Sequence, residues 1–247
     1  MPISISDCSF MYRRGLPVLE GLSLSLGYGA TVLLGPNGAG KSTLLGLAAS
    51  ALRPASGHVR IGALDTRNRK DVKEYRRKVG WLPQQVKAIP GLRVREQVAH
   101  AGWLKGMSRI QAWEASAGAL EAVGLTDLSA RRSSELSGGQ KRRLGIAQAL
   151  VHSAEVVLMD EPTAGLDPRQ RATFRDLVAR LSSTVAVVVS THQTEDLADI
   201  YQSVVVLDQG RVRHQGAVSS FLDLAPAGSP RERQAEAAYA SICTVEA

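Results

Sequence analysis

The chain of 247 residues is 44 % hydrophobic, long enough for one large domain with a buried core, and carries a net charge of +7. No apolar run reaches the ~20 residues of a membrane-crossing helix, and the opening MPISISDCSF lacks the basic and long apolar segments of a secretory signal, so none is expected. The two cysteines, Cys8 and Cys243, stand near opposite ends, which argues against a disulfide framework or a zinc site and suits a reducing cytosol.

In chain order, Ile3, Ile5, Val18, Leu22, Leu24 and Leu26 alternate with polar residues and predict short antiparallel strands. Residues 31–34 (TVLL) turn continuously apolar after Thr31, the mark of a strand buried on both faces. They run into a Gly-rich loop and a helix expected over 42–51. Strand-like pieces at 58–61 and 79–82 flank the stretch 67–78, which holds seven basic and two acidic residues. That stretch is either a solvated face or a surface for anionic lipid or nucleic acid. It lacks the aromatic interleaving of base stacking, so no nucleic-acid partner is expected.

From 94 to 123 the period becomes helical, and a further helix is expected over 141–151, with Leu144, Ala147, Leu150 and Val151 on one stripe. Buried strands follow at 156–159, 185–189 and 204–207, the first two separated by a helix over 169–181. Strand–helix alternation implies an α/β fold whose parallel sheet is covered on both faces. Residues 225–247 read as a tail with a short helix from Arg231.

Three motifs carry chemistry. Gly35-Pro36-Asn37-Gly38-Ala39-Gly40-Lys41-Ser42 fits the phosphate-loop pattern. Glycines there let backbone N–H groups turn toward phosphate oxygens, and the following helix adds its positive end. Lys41 would reach the outer phosphates and the Ser42 hydroxyl would ligate Mg²⁺. The strand 156–159 ends in Asp160 and Glu161, at the sheet edge where ligands of open α/β sheets bind. Asp160 suits Mg²⁺, and Glu161 suits a base that takes a proton from attacking water.

His192 follows another strand at the same edge, suited either to a terminal phosphate or catalytic water, or to a structural role. Gln84 offers an amide oxygen to metal or water, with a shift by one to the adjacent Gln85 left open by the sequence. Tyr12 is either a stacking platform for adenine or a half-buried strand residue. The third motif, Leu136-Ser137-Gly138-Gly139-Gln140, is a second N–H cluster ahead of a helix. One triphosphate needs a cradle from each side. Head-to-tail pairing of two chains, each lending Ser137 to Gln140 to the other's nucleotide, is the economical arrangement.

These motifs, in this order, resemble the nucleotide-binding subunit of ABC transporters over about residues 3–220. The resemblance implies a RecA-like P-loop NTPase core with an antiparallel β-lobe and a helical lobe over roughly 86–152, all within an ATP-binding domain over 1–224. It makes Gly35 to Ser42, with Thr43, the phosphate cradle. Ser42, Gln84 and Asp160 become Mg²⁺ ligands, Glu161 the catalytic carboxylate and His192 the switch histidine. Ser137, Gly138, Gly139 and Gln140 form the signature, residues 165–168 the D-loop, and Tyr12 the adenine-stacking aromatic. ATP and Mg²⁺ are the implied cofactors.

The resemblance also implies partners. One is a separate transmembrane permease, which would hold the chain at the inner face of the cell membrane. It would dock beside 84–92, where Val86, Ile89 and Leu92 either line a groove or pack the lobe's own core. The other is a second ATP-binding subunit, identical or closely related. The runs at 144–150 (LGIAQAL) and 191–196 (THQTED) resemble stand-alone export ATPases. The alternative reading is a soluble ABC ATPase acting on a protein scaffold, as in iron–sulfur assembly.

Overall fold

Alternating apolar residues make β1 (Ile3–Phe10) and β2 (Leu19–Leu26) half-buried strands that pair antiparallel. The computed structural model describes residues 2–12, 15, 17–27, 29–197 and 200–243. Ile3, Ile5, Cys8 and Phe10 are buried, and the alternation slips between Ile5 and Cys8, where a bulge holds Asp7 at φ 48°. β3 (Ala30–Leu34) is buried throughout and leads through the Gly-rich loop into α1 (Lys41–Ala48). This helix stops short of the expected end because Ser50 turns left-handed, at φ 54°. β4 (Ser56–Ile61) and β5 (Leu64–Asp65) complete a four-stranded antiparallel sheet ordered β2-β1-β4-β5.

α2 (Val72–Lys78) occupies the end of the basic stretch and runs directly into β6 (Val79–Leu82). Three helices follow: α3 (Val94–Leu104), α4 (Arg109–Ala122) and α5 (Gly138–Leu150). The helical stretch expected over 94–123 is thus a hairpin. Gly106 turns the chain at φ 91°, and Ser108 caps α4 through a reciprocal pair with Gln111.

β7 (Val156–Met159), α6 (Pro168–Leu181), β8 (Ala186–Thr191), β9 (Ser203–Asp208) and β10 (Arg211–Ala217) come next, then α7 (Val218–Leu222) and α8 (Gln234–Cys243). β10 has no apolar alternation to betray it, and owes its place to antiparallel pairing with β9 at a sheet edge. α8 falls in the expected tail yet packs into the main core, with Ala238 fully buried. Residues 244–247 of that tail lie outside the described residues.

The second sheet has six strands in the order β10-β9-β3-β8-β7-β6, parallel except for β10. Its strands serve two cores by alternation. Ala30, Val32 and Leu34 of β3 face α3 to α6, and Leu33 faces α1 and the small sheet. Val187 and Val189 divide from Val188 in the same way. Among the described residues, no helix is long and apolar enough to cross a membrane.

α5 rests on β6 with almost no clearance. A Cβ at Gly80 would lie 2.3 Å from the carbonyl oxygen of Ala149. Gly80→Ala is therefore expected to cost about 2–3 kcal/mol, as overpacking does. Urea denaturation measures this, and an unchanged midpoint would show that α5 can back away freely.

Candidate functional site

The Gly-rich loop sits at the C-terminal edge of the six-stranded sheet. Gly35 has no room for a side chain, since a Cβ there would stand 2.1 Å from the Leu207 carbonyl oxygen. Gly38 and Gly40 adopt φ 85° and 100°, which turns the loop back over α1. Gly40 caps α1 and offers no side-chain acceptor, so the first-turn N–H groups face outward for an anion. Lys41 is only 5 % exposed. Its Nζ donates to the carbonyls of Gly35 at 2.7 Å and Pro36 at 3.0 Å and lies 3.5 Å from Glu161 Oε1. Burial pulls the Lys41 pKa down, and the Glu161 and Asp160 charges oppose that pull. A buried ammonium beneath an uncapped helix N-terminus fits a polyphosphate.

The loop's other residues divide by exposure. Pro36, Asn37, Gly38 and Ser42 are exposed at the rim, whereas the Ala39 side chain packs into the small-sheet core. Thr43 is buried, with its hydroxyl 3.1 Å from that of Tyr12. Tyr12 itself is 63 % exposed and stands edge-on to Phe10, with ring centroids 4.9 Å apart. It lines the same cleft as Lys41, Ser42, Gln84 and Glu161.

The acidic pair follows β7, whose four residues are all buried. Asp160 is 4 % exposed, and its N–H donates to the Leu82 carbonyl at 2.9 Å. Ser190 Oγ accepts from the Glu161 N–H at 2.8 Å and donates to Asp160 Oδ1 at 2.8 Å. This hydroxyl pins Glu161 at φ 43°, a left-handed conformation uncommon for a residue with a side chain. Glu161 is then the hub of the cleft. His192 Nδ1 lies 3.5 Å from its Oε1, and Gln84 Nε2 donates to its Oε2 at 3.3 Å. Gln85 instead lines a separate groove with Val86 and Lys105, so of the two glutamines it is Gln84 that meets Glu161.

Strand order explains the convergence. β3, β8, β7 and β6 are neighbours, and their C-terminal ends feed the phosphate loop, His192, the acidic pair and Gln84 into one edge. Two contributors escaped the sequence reading. Ser190 ends an apolar run, and its sole signal is being a polar residue at a buried position next to the end of β8. Arg142 donates from Nη1 to the Gln84 carbonyl at 2.6 Å from a neighbouring helix, α5, which no local pattern announces.

The signature residues lie elsewhere. Ser137 caps α5, accepting from the Gln140 N–H at 3.4 Å, and Gln140 Oε1 accepts from the Ser137 N–H at 2.9 Å. This is a capping box, visible as S-x-x-Q in the sequence but not read there, and it starts the helix at Gly138 rather than 141. Ser137, Gly139 and Gln140 line a cleft with Gln170 and Phe174 of α6 and share none of it with Lys41 or Glu161. Asp167, ahead of Pro168, caps α6 by accepting from the Gln170 N–H at 2.8 Å.

A Gly-rich loop closed on a buried lysine beside a strand-end carboxylate pair defines a P-loop nucleotide-binding domain. The chain belongs to the ABC transporter family, whose model matches residues 19–164. It is similar to the Linearmycin resistance ATP-binding protein LnrL of Bacillus subtilis (strain 168), 34 % identical over 197 residues, which are 79 % of this chain and 63 % of that protein. The chain thus spans less than two thirds of that relative's length. It is also similar to the Cobalt import ATP-binding protein CbiO of Rhodobacter capsulatus, 38 % identical over 218 residues, 87 % of this chain and 78 % of that one. The dimeric structure of a bacterial ABC transporter cassette superimposes with a TM-score of 0.77 at 27 % identity, covering 87 % of this chain and 98 % of that one. The six-stranded sheet is accordingly a RecA-like core, joined to an antiparallel sheet and a helical lobe.

Ser190→Ala leaves a buried Asp160 oxygen and the Glu161 N–H without their shared partner. The expected loss is about 1–3 kcal/mol of stability, read by thermal or urea unfolding. Wild-type stability in that variant would mean that the hydroxyl does not hold the acidic pair.

Proposed function

We propose that the chain binds ATP between two copies of this domain and hydrolyses it to drive a separate transmembrane permease. The observation that carries this reading is the separation of two cradles: Lys41, Gln84 and Glu161 line one cleft, with His192 against Glu161, and Ser137 and Gly139 line another. A single chain cannot close both on one nucleotide without a partner. The likeness to a dimeric cassette, also solved in a post-hydrolysis state bound to ADP and Pi, supports the pairing and the hydrolysis.

In this mechanism Lys41 exchanges its carbonyl acceptors for phosphate oxygens, and Tyr12 offers its exposed ring to adenine. Glu161 accepts the proton of the attacking water, and His192 and Gln84 hold that carboxylate and water in place. Ser42, Asp160 and Gln84 would hold Mg²⁺, which neutralises charge on the outer phosphates. Gln84 can present Oε1 to the metal while its Nε2 stays on Glu161. Ser137 and Gly139 of the partner subunit supply donors to the transferred phosphoryl.

The permease would seat in the groove between β6, α3 and α5, lined by Trp81, Gln85, Val86, Lys87 and Leu104. Of the three apolar residues expected to dock it, only Val86 lines this groove. Ile89 ties its N–H to Gln97 Oε1 at 2.9 Å, and Leu92 lines a cleft between α3 and α4. Such docking holds the chain at the inner face of the cell membrane. Export is the direction we propose, on the 144–150 and 191–196 runs and on the likeness to a resistance protein.

Glu161→Gln is expected to keep ATP binding, lower turnover at least a hundredfold on the order expected for loss of a general base, and accumulate an ATP-bound dimer on size exclusion. Ser137→Arg should bind ATP as a monomer without dimerising or turning over. Undiminished hydrolysis in the first variant removes Glu161 as the base, and collapse of monomer ATP affinity in the second removes the opposed-cradle arrangement. Purification from detergent-solubilised membranes should recover a polytopic membrane protein in stoichiometric amount. Recovery of soluble partners alone would favour the scaffold-assembly reading.

A further inference from the structure

The nucleotide cleft leaves two features unused: the basic stretch 67–78 and a cluster of exposed apolar side chains. Among the described residues, four of the seven large exposed hydrophobics fall between 103 and 113: Trp103 at 49 %, Leu104 at 67 %, Ile110 at 72 % and Trp113 at 44 %. Two of the chain's three tryptophans are in this set. They flank the tight turn between α3 and α4, the end of a helical hairpin.

The basic stretch is fastened to the same turn. Arg77 donates from Nε to the Lys105 carbonyl at 3.1 Å and from Nη2 to the Gly106 carbonyl at 3.3 Å, and Lys105 Nζ donates back to the Arg76 carbonyl at 2.7 Å. Tyr75 anchors α2 from beneath, fully buried, with its hydroxyl donating to the Ala48 carbonyl at 2.6 Å. The opposite side of α2 and the segment before it leave Arg67, Arg69, Lys70 and Lys73 exposed, with Arg109 exposed on the hairpin itself. Arg95 stacks over Trp113 at 4.1 Å and adds a cation to the aromatic side. Asp71 and Glu74 are the acidic residues within 67–78, and the stretch stays at net +5 with them counted.

We infer that this joined surface, α2 together with the α3–α4 tip, rests directly on an anionic lipid bilayer. Charge complementarity selects the occupant. Exposed lysines and arginines meet anionic headgroups, while the exposed tryptophans and branched aliphatics beside the turn enter the boundary between headgroups and acyl chains. Trp103 and Trp113 line a cleft between α3 and α4, and Ile110, the most exposed of the set, stands outside it beside the turn. Arg76 and Leu104 also line the groove proposed for the permease, so the lipid-facing surface borders it on the same side of the molecule. The inference goes beyond the ATPase reading and needs neither nucleotide nor permease.

The test uses the full chain with protein-free vesicles of phosphatidylcholine alone or mixed with phosphatidylglycerol. Sedimentation is expected only with the anionic vesicles, to weaken at high salt, and to be indifferent to ATP. Brominated acyl chains should quench tryptophan fluorescence in the bound state. Trp103→Ser with Ile110→Ser, both exposed and both outside the groove proposed for the permease, should lower vesicle affinity about tenfold or more while leaving ATP turnover unchanged. Arg69→Glu with Lys73→Glu should do the same, each lost charge accounting for about fivefold. Absence of sedimentation, equal binding to neutral vesicles, or full binding by both double variants would overturn the inference. A photocrosslinker at Ile110 in native membranes separates lipid from protein as the occupant: lipid adducts support the inference, and adducts to an acidic protein segment alone overturn it. Because no arm requires dimer formation, failure of the opposed-cradle experiments leaves this result intact, and the converse holds too.

Discussion

Parallel pairing of β3, β8, β7 and β6 is the constraint on which the cleft depends. Their register sets Met159 beside Val189 and Leu82 beside Met159, so the residues that follow each strand emerge at one edge. Ser190 comes to lie against Asp160, and Glu161 comes within reach of Lys41, without any loop having to search for the geometry. A slip of one residue in β7 would exchange its two faces, turning Val157 and Met159 toward the small sheet and displacing both carboxylates. All four residues of β7 are apolar and buried, so a slip would draw Glu155 or Asp160 into a buried strand position, and the cost of burying an unpaired charge there holds the register.

Within that frame, charge is managed by contact rather than by solvent. Lys41 is almost fully buried, yet its ammonium has two carbonyl acceptors and a carboxylate close by. Asp160 is equally enclosed and accepts from a serine hydroxyl. Glu161 is held in a left-handed backbone that costs of order 1–3 kcal/mol unless the surroundings impose it. Here the Ser190 bond and the flanking strands impose it. The result aims the carboxylate at Lys41, Gln84 and His192 together, the placement a base needs if it is to serve a phosphoryl group held by the lysine.

The helical lobe answers a different need. α5 is fixed to the core at Gly80 through near contact of backbones, and at its other end the Ser137–Gln140 capping box satisfies its own first turn. The signature is therefore preformed and exposed, in a cleft that shares no lining residue with the phosphate loop of its own chain. The α3–α4 hairpin extends from the same lobe and carries the exposed aromatic tip. The same lobe thus joins the signature helix to an exposed surface that is both apolar and basic.

Much of this was legible in the residues themselves. The phosphate loop, the apolar strand ending in Asp160 and Glu161, and the signature string are local patterns, and local patterns survive in sequence because backbone geometry imposes them over a few residues. The division into half-buried and fully buried strands followed from the same logic. Tertiary structure alone decided which glutamine meets Glu161, that Ser190 and Arg142 complete the cleft, that an unpatterned segment becomes β10, and that α8 joins the core. It alone brought the basic helix and the exposed hairpin into one surface. Those outcomes depend on contacts between residues distant in the chain, set by strand order and side-chain packing, and no periodicity along a single segment records them.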